Sequence, residues 1–315
     1  MTGEADFIDA IRALAAHEGA RGLRDDAAVL DFGGRTLVLT HDMLAEGVHF
    51  LPDDPPGDVA WKLVAVNLSD LAAKGARPVG LLLGYSLGQA DWDRAFAQGL
   101  ALACRTLGAP LLGGDTIAQA PGAPRSFGLT AVGEAGGAAP SRSGAKAGDL
   151  LWVSGSIGDA GAGLRALRGE LPADPVLIER YRTPRPRLAA GQALAPLVTA
   201  MMDVSDGLLI DAGRIARASG CLLEVDLHAL PLSDALLSTC GDSREVRVEA
   251  ATAGDDYELL FTAPAAASSA ILHLGEALAL SLTPIGRVGA GAGLLLMDGS
   301  NPIPLPERLG YQHGR

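Results

Sequence analysis

Strand-like and helix-like hydrophobic patterns alternate along both halves of this chain, and a Gly-, Ala-, Ser- and Pro-rich stretch (GEAGGAAPSRSGAKAGD, residues 133–149) parts the halves. In the first half, Phe7, Ile8, Ile11 and Leu14 recur at helical spacing. Leu37, Val38, Leu39 and Thr40 read as a strand, residues 58–74 as a helix with an apolar stripe of Trp61, Val64, Leu68 and Leu71, residues 81–87 as a strand, 92–107 as a helix and 126–132 as a strand. In the second half LLWVSG, MMDVS, LLEVDL, VRVEAA and YELLFTA read as strands and residues 208–218 as a helix. Such alternation requires sheets with helices packed against them. The expected architecture is two domains of α/β (α+β mixed) class, residues 1–136 and 150–315, joined by a linker over 137–149.

Composition excludes several classes of function. Hydrophobic residues make up 48% of the 315, enough for two cores, so the chain is not disordered. The net charge of −12 argues against binding nucleic acid or an anionic membrane surface, both of which need a basic face. Three scattered cysteines (Cys104, Cys221, Cys240) form no zinc spacing and suit a reducing compartment. With an acidic N-terminus and no apolar run of membrane-spanning length, the expected location is the cytoplasm.

The standard phosphate-binding loops, GxxxxGK[ST] and GxGxxG, are absent, and so is HExxH. Gly84-Tyr85-Ser86-Leu87-Gly88 matches the GxSxG nucleophile elbow between a strand and a helix, which leaves a serine hydrolase using Ser86, with Asp203 or Asp226 and His228 or His273, as a rival reading.

The chain instead concentrates carboxylates at the edges of its elements: Asp25-Asp26, Thr40-His41-Asp42, Asn67-Leu68-Ser69-Asp70, Gly113-Gly114-Asp115-Thr116, Asp203-Val204-Ser205-Asp206-Gly207 and Gly254-Asp255-Asp256-Tyr257-Glu258. Each alone is ordinary cap or turn chemistry. Together they suggest more. Thr40 and Asp42 point the same way off a strand, and Asn67, Asp70 and Lys74 share one helix stripe that faces either solvent or a cleft. Four of the motifs are expected at carboxyl ends of strands, where open α/β sheets bind ligands. Many carboxylates without soft ligands suit hard divalent cations, so a Mg²⁺–polyphosphate site is expected.

These motifs, DDAAVL, THDMLAEGVHF, VNLSDLAAKGA, GGDT, SRSGAKAGD, MDVSDGL and AGDDYELLF, in this order, resemble the thiamine-monophosphate kinase family. That family belongs to the ATP-binding superfamily of aminoimidazole ribonucleotide synthetase, selenophosphate synthetase and the hydrogenase-maturation carbamoyl dehydratase. The resemblance implies the two-domain fold of that superfamily, with N-terminal domains pairing into a barrel-like homodimer interface. It implies several Mg²⁺ ions held by Asp26, Thr40, His41, Asp42, Asp70, Asp115, Asp203 and Asp206. ATP, the co-substrate, would be contacted by Gly114, Asp115, Arg142 and Ser205, and thiamine monophosphate by His49, Asp255 and Tyr311. His41 stands where the family usually has threonine, and Asp255 where it has glutamate.

The implied reaction transfers a phosphoryl group from ATP directly, in line, to thiamine monophosphate, giving thiamine diphosphate. A phosphomonoester's second pKa is about 6, so the acceptor is already ionised near neutrality and no general base is expected. Arg142 and Lys74 would supply fixed positive charge, and Asp255 would face the cationic thiazolium. Another ATP-dependent synthetase of the superfamily is the nearer alternative. Against the selenide enzyme stands the late first cysteine, Cys104, and against the dehydratase the terminal His-Gly-Arg. A non-catalytic ATP/Mg²⁺ sensor is a third reading.

Overall fold

The structure, a computed structural model, describes residues 4–120 and 122–312. Outside the described residues lie Met1–Gly3, Pro121 and the terminal His313-Gly314-Arg315 that weighed against the dehydratase. The first half comprises α1 (Glu4–Ile11), β1 (Ala28–Phe32), β2 (Arg35–Ala45), α2 (Pro56–Ala73), β3 (Ala76–Leu87), α3 (Ala90–Leu107), β4 (Leu111–Ala118) and β5 (Ser126–Ala135). Its strands form one sheet in the order β1-β2-β5-β3-β4. After residues 136–148, which form no helix or strand, come β6 (Asp149–Ser154), α4 (Asp159–Leu167), α5 (Pro175–Arg182), α6 (Leu188–Leu194), β7 (Ala200–Asp203), α7 (Leu208–Ser219) and β8 (Leu222–Asp226). The chain continues through α8 (Asp234–Cys240), α9 (Arg244–Thr252), β9 (Leu259–Pro264), α10 (Ser268–Leu278), β10 (Leu282–Gly289), β11 (Gly293–Asp298) and β12 (Asn301–Ile303). These strands make a second sheet, β12-β11-β8-β10-β6-β9-β7.

Both sheets are mainly antiparallel. Among the named strands of the described residues, β3 with β4 and β8 with β11 are the pairs that run parallel. The crevice rule for open parallel sheets therefore does not place the motifs, and Thr40 and Asp42 lie in the middle of β2 rather than at its end. GGDT is likewise part of strand β4, not a loop. Residues 246–251, whose Val-x-Val alternation suggested a strand, belong to helix α9. Ser243 caps that helix, accepting a bond from the Val246 N–H, and burial of Ala250 and Ala251 outweighs the β propensity of the two valines.

Helix α2 decides how the halves meet. Pro56 starts it in the first turn, where a missing N–H costs nothing, and from Val59 to Ala73 every residue but Trp61 is buried. One side packs on the first sheet, whose core contains Leu63, Leu81, Leu129 and an aromatic stack of Tyr85, Trp92, Phe96 and Phe127. Its last turn, Ala72 and Ala73, packs against Trp152, Leu194, Met201 and Phe261 of the second half. Gly191 fits there because a side chain would strike the Ala72 carbonyl, 1.9 Å away. A helix buried along this much of its length is held rigidly, and so is any polar group it carries. Among the described residues no helix is long and apolar enough to cross a membrane.

Candidate active site

The polar stripe of α2 faces the junction between the halves, not solvent: Asn67 and Ser69 are fully buried and Asp70 nearly so. Asn67 Oδ1 accepts the Asp42 N–H at 3.0 Å, and the Thr40 hydroxyl donates to Asp70. Strand alternation places Thr40 and Asp42 on the face of β2 that meets the helix. From the second half, the end of β7 brings Asp203, whose Oδ2 accepts from Ser69 Oγ at 2.6 Å. Asp26 enters ahead of β1. Each of Asp26, Asp70 and Asp203 offers an oxygen within 4.8 Å of the others.

Burial and mutual repulsion strain these carboxylates. Burial, followed by the charges of Asp26 and Asp206, pushes Asp42 up to about 6. Asp203 is pushed up to about 8, by burial first and then by Asp26. The Asp70 pKa rises well above the usual carboxylate range through burial and the charges of Asp42, Asp203 and Asp26. A set of converging oxygen donors that resists its own ionisation is matched by a hard divalent cation. The residues therefore fit Mg²⁺.

Around this cluster lies a cationic frame. Lys74, just past α2, is fully buried and pairs with both Asp25 and Asp26, while also donating to the Met201 carbonyl at 3.2 Å. Its positive charge is thus fixed beside the carboxylates of the cluster. Burial would raise the Asp25 pKa, but Lys74 and Arg21 override it and hold this carboxyl far below the usual range. Arg142 is held in the same frame: its Nε donates to Asp26 Oδ1 at 2.8 Å.

The DVSDG turn is set by Asp211, a fully buried residue of α7 that sequence reading missed. Its Oδ2 accepts from the N–H groups of Ser205 (3.2 Å), Asp206 (3.2 Å) and Gly207 (3.3 Å). Arg214 bridges Asp211 and Asp206, each at 2.6 Å. An Asp four residues into the helix after the turn is the sequence signal that could have found it. The neighbouring GDDY turn is docked on this one, with the Asp255 N–H bonded to the Ser205 carbonyl at 2.8 Å. The Tyr311 N–H reaches the Asp206 carbonyl, also at 2.8 Å, so the C-terminal aromatic lies beside the same turn. His49 Nδ1 accepts the Ala45 N–H at 3.1 Å, closing the loop after β2.

Two predicted ligands stand apart within the chain. His41 is exposed on the face of β2 opposite to Thr40 and Asp42, with Nδ1 2.9 Å from Thr130 Oγ1. Asp115, on β4, an edge strand whose every residue is exposed, pairs in register with Gly84 of β3. Gly84 follows Leu83, which belongs to the core-facing set, so Asp115 faces outward with His41. Gly114 beside it has φ +155°, and a Cβ there would lie 1.9 Å from the Leu83 carbonyl oxygen. Ser86 sits on strand β3, buried, with its hydroxyl donated to the Ser126 carbonyl at 2.7 Å. It occupies no elbow turn. His228 pairs with Asp298 and His273 with the Ser269 carbonyl of its own helix.

Residues 24–135 match the AIR synthase related protein N-terminal domain, and residues 146–298 the corresponding C-terminal domain. Thiamine-monophosphate kinase of Salmonella typhimurium is 40% identical over 303 residues, covering 93% of this chain and 91% of that protein. Among solved structures, thiamine-monophosphate kinase from Stenotrophomonas maltophilia K279a superposes with a TM-score of 0.78 at 41% identity, over 94% of this chain and 96% of that one. AaThiL complexed with AMPPCP and TMP superposes with a TM-score of 0.85 at 31% identity, over 99% of this chain and 97% of the other. With this coverage, and with the motif carboxylates of both halves meeting at α2, the chain belongs to the thiamine-monophosphate kinase family of the AIR synthase related proteins.

Proposed function

We propose that the protein phosphorylates thiamine monophosphate to thiamine diphosphate with ATP and Mg²⁺, by direct in-line transfer. The observation that carries this reading is the convergence of Asp26, Asp70 and Asp203, from three separate parts of a chain of this family, on one buried point. Asp26, Thr40, Asp42, Asp70 and Asp203 would hold Mg²⁺, with Asp206 near them; His41 and Asp115, apart on the outer face of the sheet, are the further proposed ligands. When bound, the ions neutralise the phosphates of donor and acceptor and align them for transfer.

The chain's own residues supply the rest. Asp211 fixes the turn that would present Ser205 to ATP, and Gly114, Asp115 and Arg142 are the further proposed contacts of the nucleotide. His49, Asp255 and Tyr311 form the thiamine-phosphate end. No histidine or carboxylate is assigned as a proton acceptor, because the attacking phosphate oxygen is already anionic near neutrality.

This reading includes a homodimer joined through the N-terminal domain into a barrel, with domains over 1–136 and 150–315, in the cytoplasm. The exposed apolar residues Leu111, Leu112 and Ile117 of β4, with Leu82 and Met43 on the outer face of the sheet, support pairing of two such sheets. Incubation with Mg-ATP and a panel of thiamine monophosphate, aminoimidazole precursors and selenide tests the function. Thiamine diphosphate and ADP in equal amounts are expected; turnover of another acceptor in preference would replace the reading.

A further inference from the structure

Lys62 is an isolated charge in the apolar run Ala60-Trp61-Lys62-Leu63-Val64 of α2, and its side chain is only 2% exposed. An ammonium group removed from water in this way is costly unless every donor is used. Here Nζ donates to the His49 carbonyl at 2.9 Å and to Asp255 Oδ2 at 2.9 Å, and stands 3.9 Å above the centre of the Tyr181 ring. Tyr181, from α5, sends its hydroxyl toward the same His49 carbonyl at 3.4 Å. On the far side of Asp255, Oδ1 accepts from the Tyr257 hydroxyl at 3.2 Å. Asp255 itself has φ +70°, a left-handed conformation that a non-glycine residue keeps only when its surroundings hold it there.

We infer that Lys62 is a positioning residue for thiamine monophosphate, tying the His49 loop and the Asp255 carboxylate into one rigid subsite. The inference rests on the proposed function and deepens it. Lys62 touches two of the three segments assigned to the substrate, those of His49 and Asp255, and none of its hydrogen bonds goes to the aspartate cluster or the DVSDG turn. Because Lys62 already balances the charge of Asp255, this carboxylate meets the substrate as an oriented hydrogen-bond acceptor. It is not a free counter-ion to the thiazolium. Each Asp255 oxygen keeps a lone pair open, and its side chain retains 27% exposure through which a ligand N–H can reach it.

The test is steady-state kinetics of the full-length enzyme with both substrates varied, for Lys62→Met, Lys62→Arg, Asp255→Asn and the Lys62→Met/Asp255→Asn double variant. Lys62→Met should raise the KM for thiamine monophosphate about tenfold or more while the KM for ATP moves less than about twofold, since only the acceptor's contacts are disturbed. Lys62→Arg should recover part of the loss. The double variant should be no worse than the poorer single variant, because both changes break one linkage. If Lys62→Met fails to fold, Tyr181→Leu, which removes the ring beneath the ammonium, should give the same selective rise. Equal rises in both KM values, unchanged values, or multiplying effects in the double variant would overturn the inference while leaving the function intact. A wild-type enzyme without thiamine monophosphate turnover would overturn both.

Discussion

Ser69 Oγ donates to Asp203 Oδ2 at 2.6 Å, across the junction between α2 of the first half and β7 of the second. This buried bond locks the relative position of two carboxylate-bearing elements and favours the ionised form of Asp203, partly opposing its burial. Ser69→Ala should lower stability by about 1 kcal/mol, the usual worth of a buried hydrogen bond. It should also weaken Mg²⁺ binding, seen as a several-fold higher Mg²⁺ concentration at half-maximal rate. A shift in the melting curve without any change in Mg²⁺ dependence would reduce Ser69 to a packing residue.

The raised pKa values of Asp42, Asp70 and Asp203 set a pH dependence with a definite sign. The folded chain holds these protons more tightly than the unfolded chain, where the carboxyls titrate near about 4. Their contribution to stability is therefore full below that pH and is lost as pH rises through about 6 for Asp42 and about 8 for Asp203. Metal-free protein should melt at lower temperature at pH 8 than at pH 6. Mg²⁺ competes with the same protons, so the rise in Tm on adding it should be larger at pH 8. Differential scanning calorimetry at the two pH values, with EDTA or Mg²⁺, checks both signs; an equal or larger Mg²⁺ effect at pH 6 would contradict the assignment.

Asp70→Asn separates function from folding. The residue is buried among like charges, so removing its charge should leave the metal-free Tm unchanged or higher. Turnover should nevertheless fall by about a hundredfold or more, the scale on which lost electrostatic stabilisation of a transition state is felt. An active variant would remove Asp70 from the site.

Asp211→Ala should act through the turn it holds. Three backbone N–H groups lose their acceptor, a loss of about 1–3 kcal/mol, and the KM for ATP should rise more than that for thiamine monophosphate. Kinetics with each substrate varied would detect the opposite order, which would detach the DVSDG turn from the nucleotide.

How much of this was legible in the sequence follows from where each residue gets its orientation. Thr40 with Asp42, and Asn67 with Asp70, were readable because strand and helix periods alone fix which side chains share a face. Their common focus with Asp26 and Asp203 was not, since it depends on α2 packing against both sheets. The middle of β2 and the whole of β4 were misplaced for a related reason: GGDT carries turn-forming residues, and only its pairing with β3 makes it a strand. Asp115 shares a motif with Gly114, yet sheet register turns it to the outer face. Lys62 and Asp211 gave weak local signals, a single charge inside an apolar run in one case and a helix-interior Asp in the other. Their partners lie far off or only in the fold.

The central claim is that the carboxylates of both halves grip divalent metal at one point. Crystals grown with Mn²⁺ and a non-hydrolysable ATP analogue, measured for the anomalous signal of manganese, test it most directly. Peaks coordinated by Asp26, Asp70 and Asp203 oxygens are expected. Bound nucleotide with no manganese at these three side chains would contradict the account.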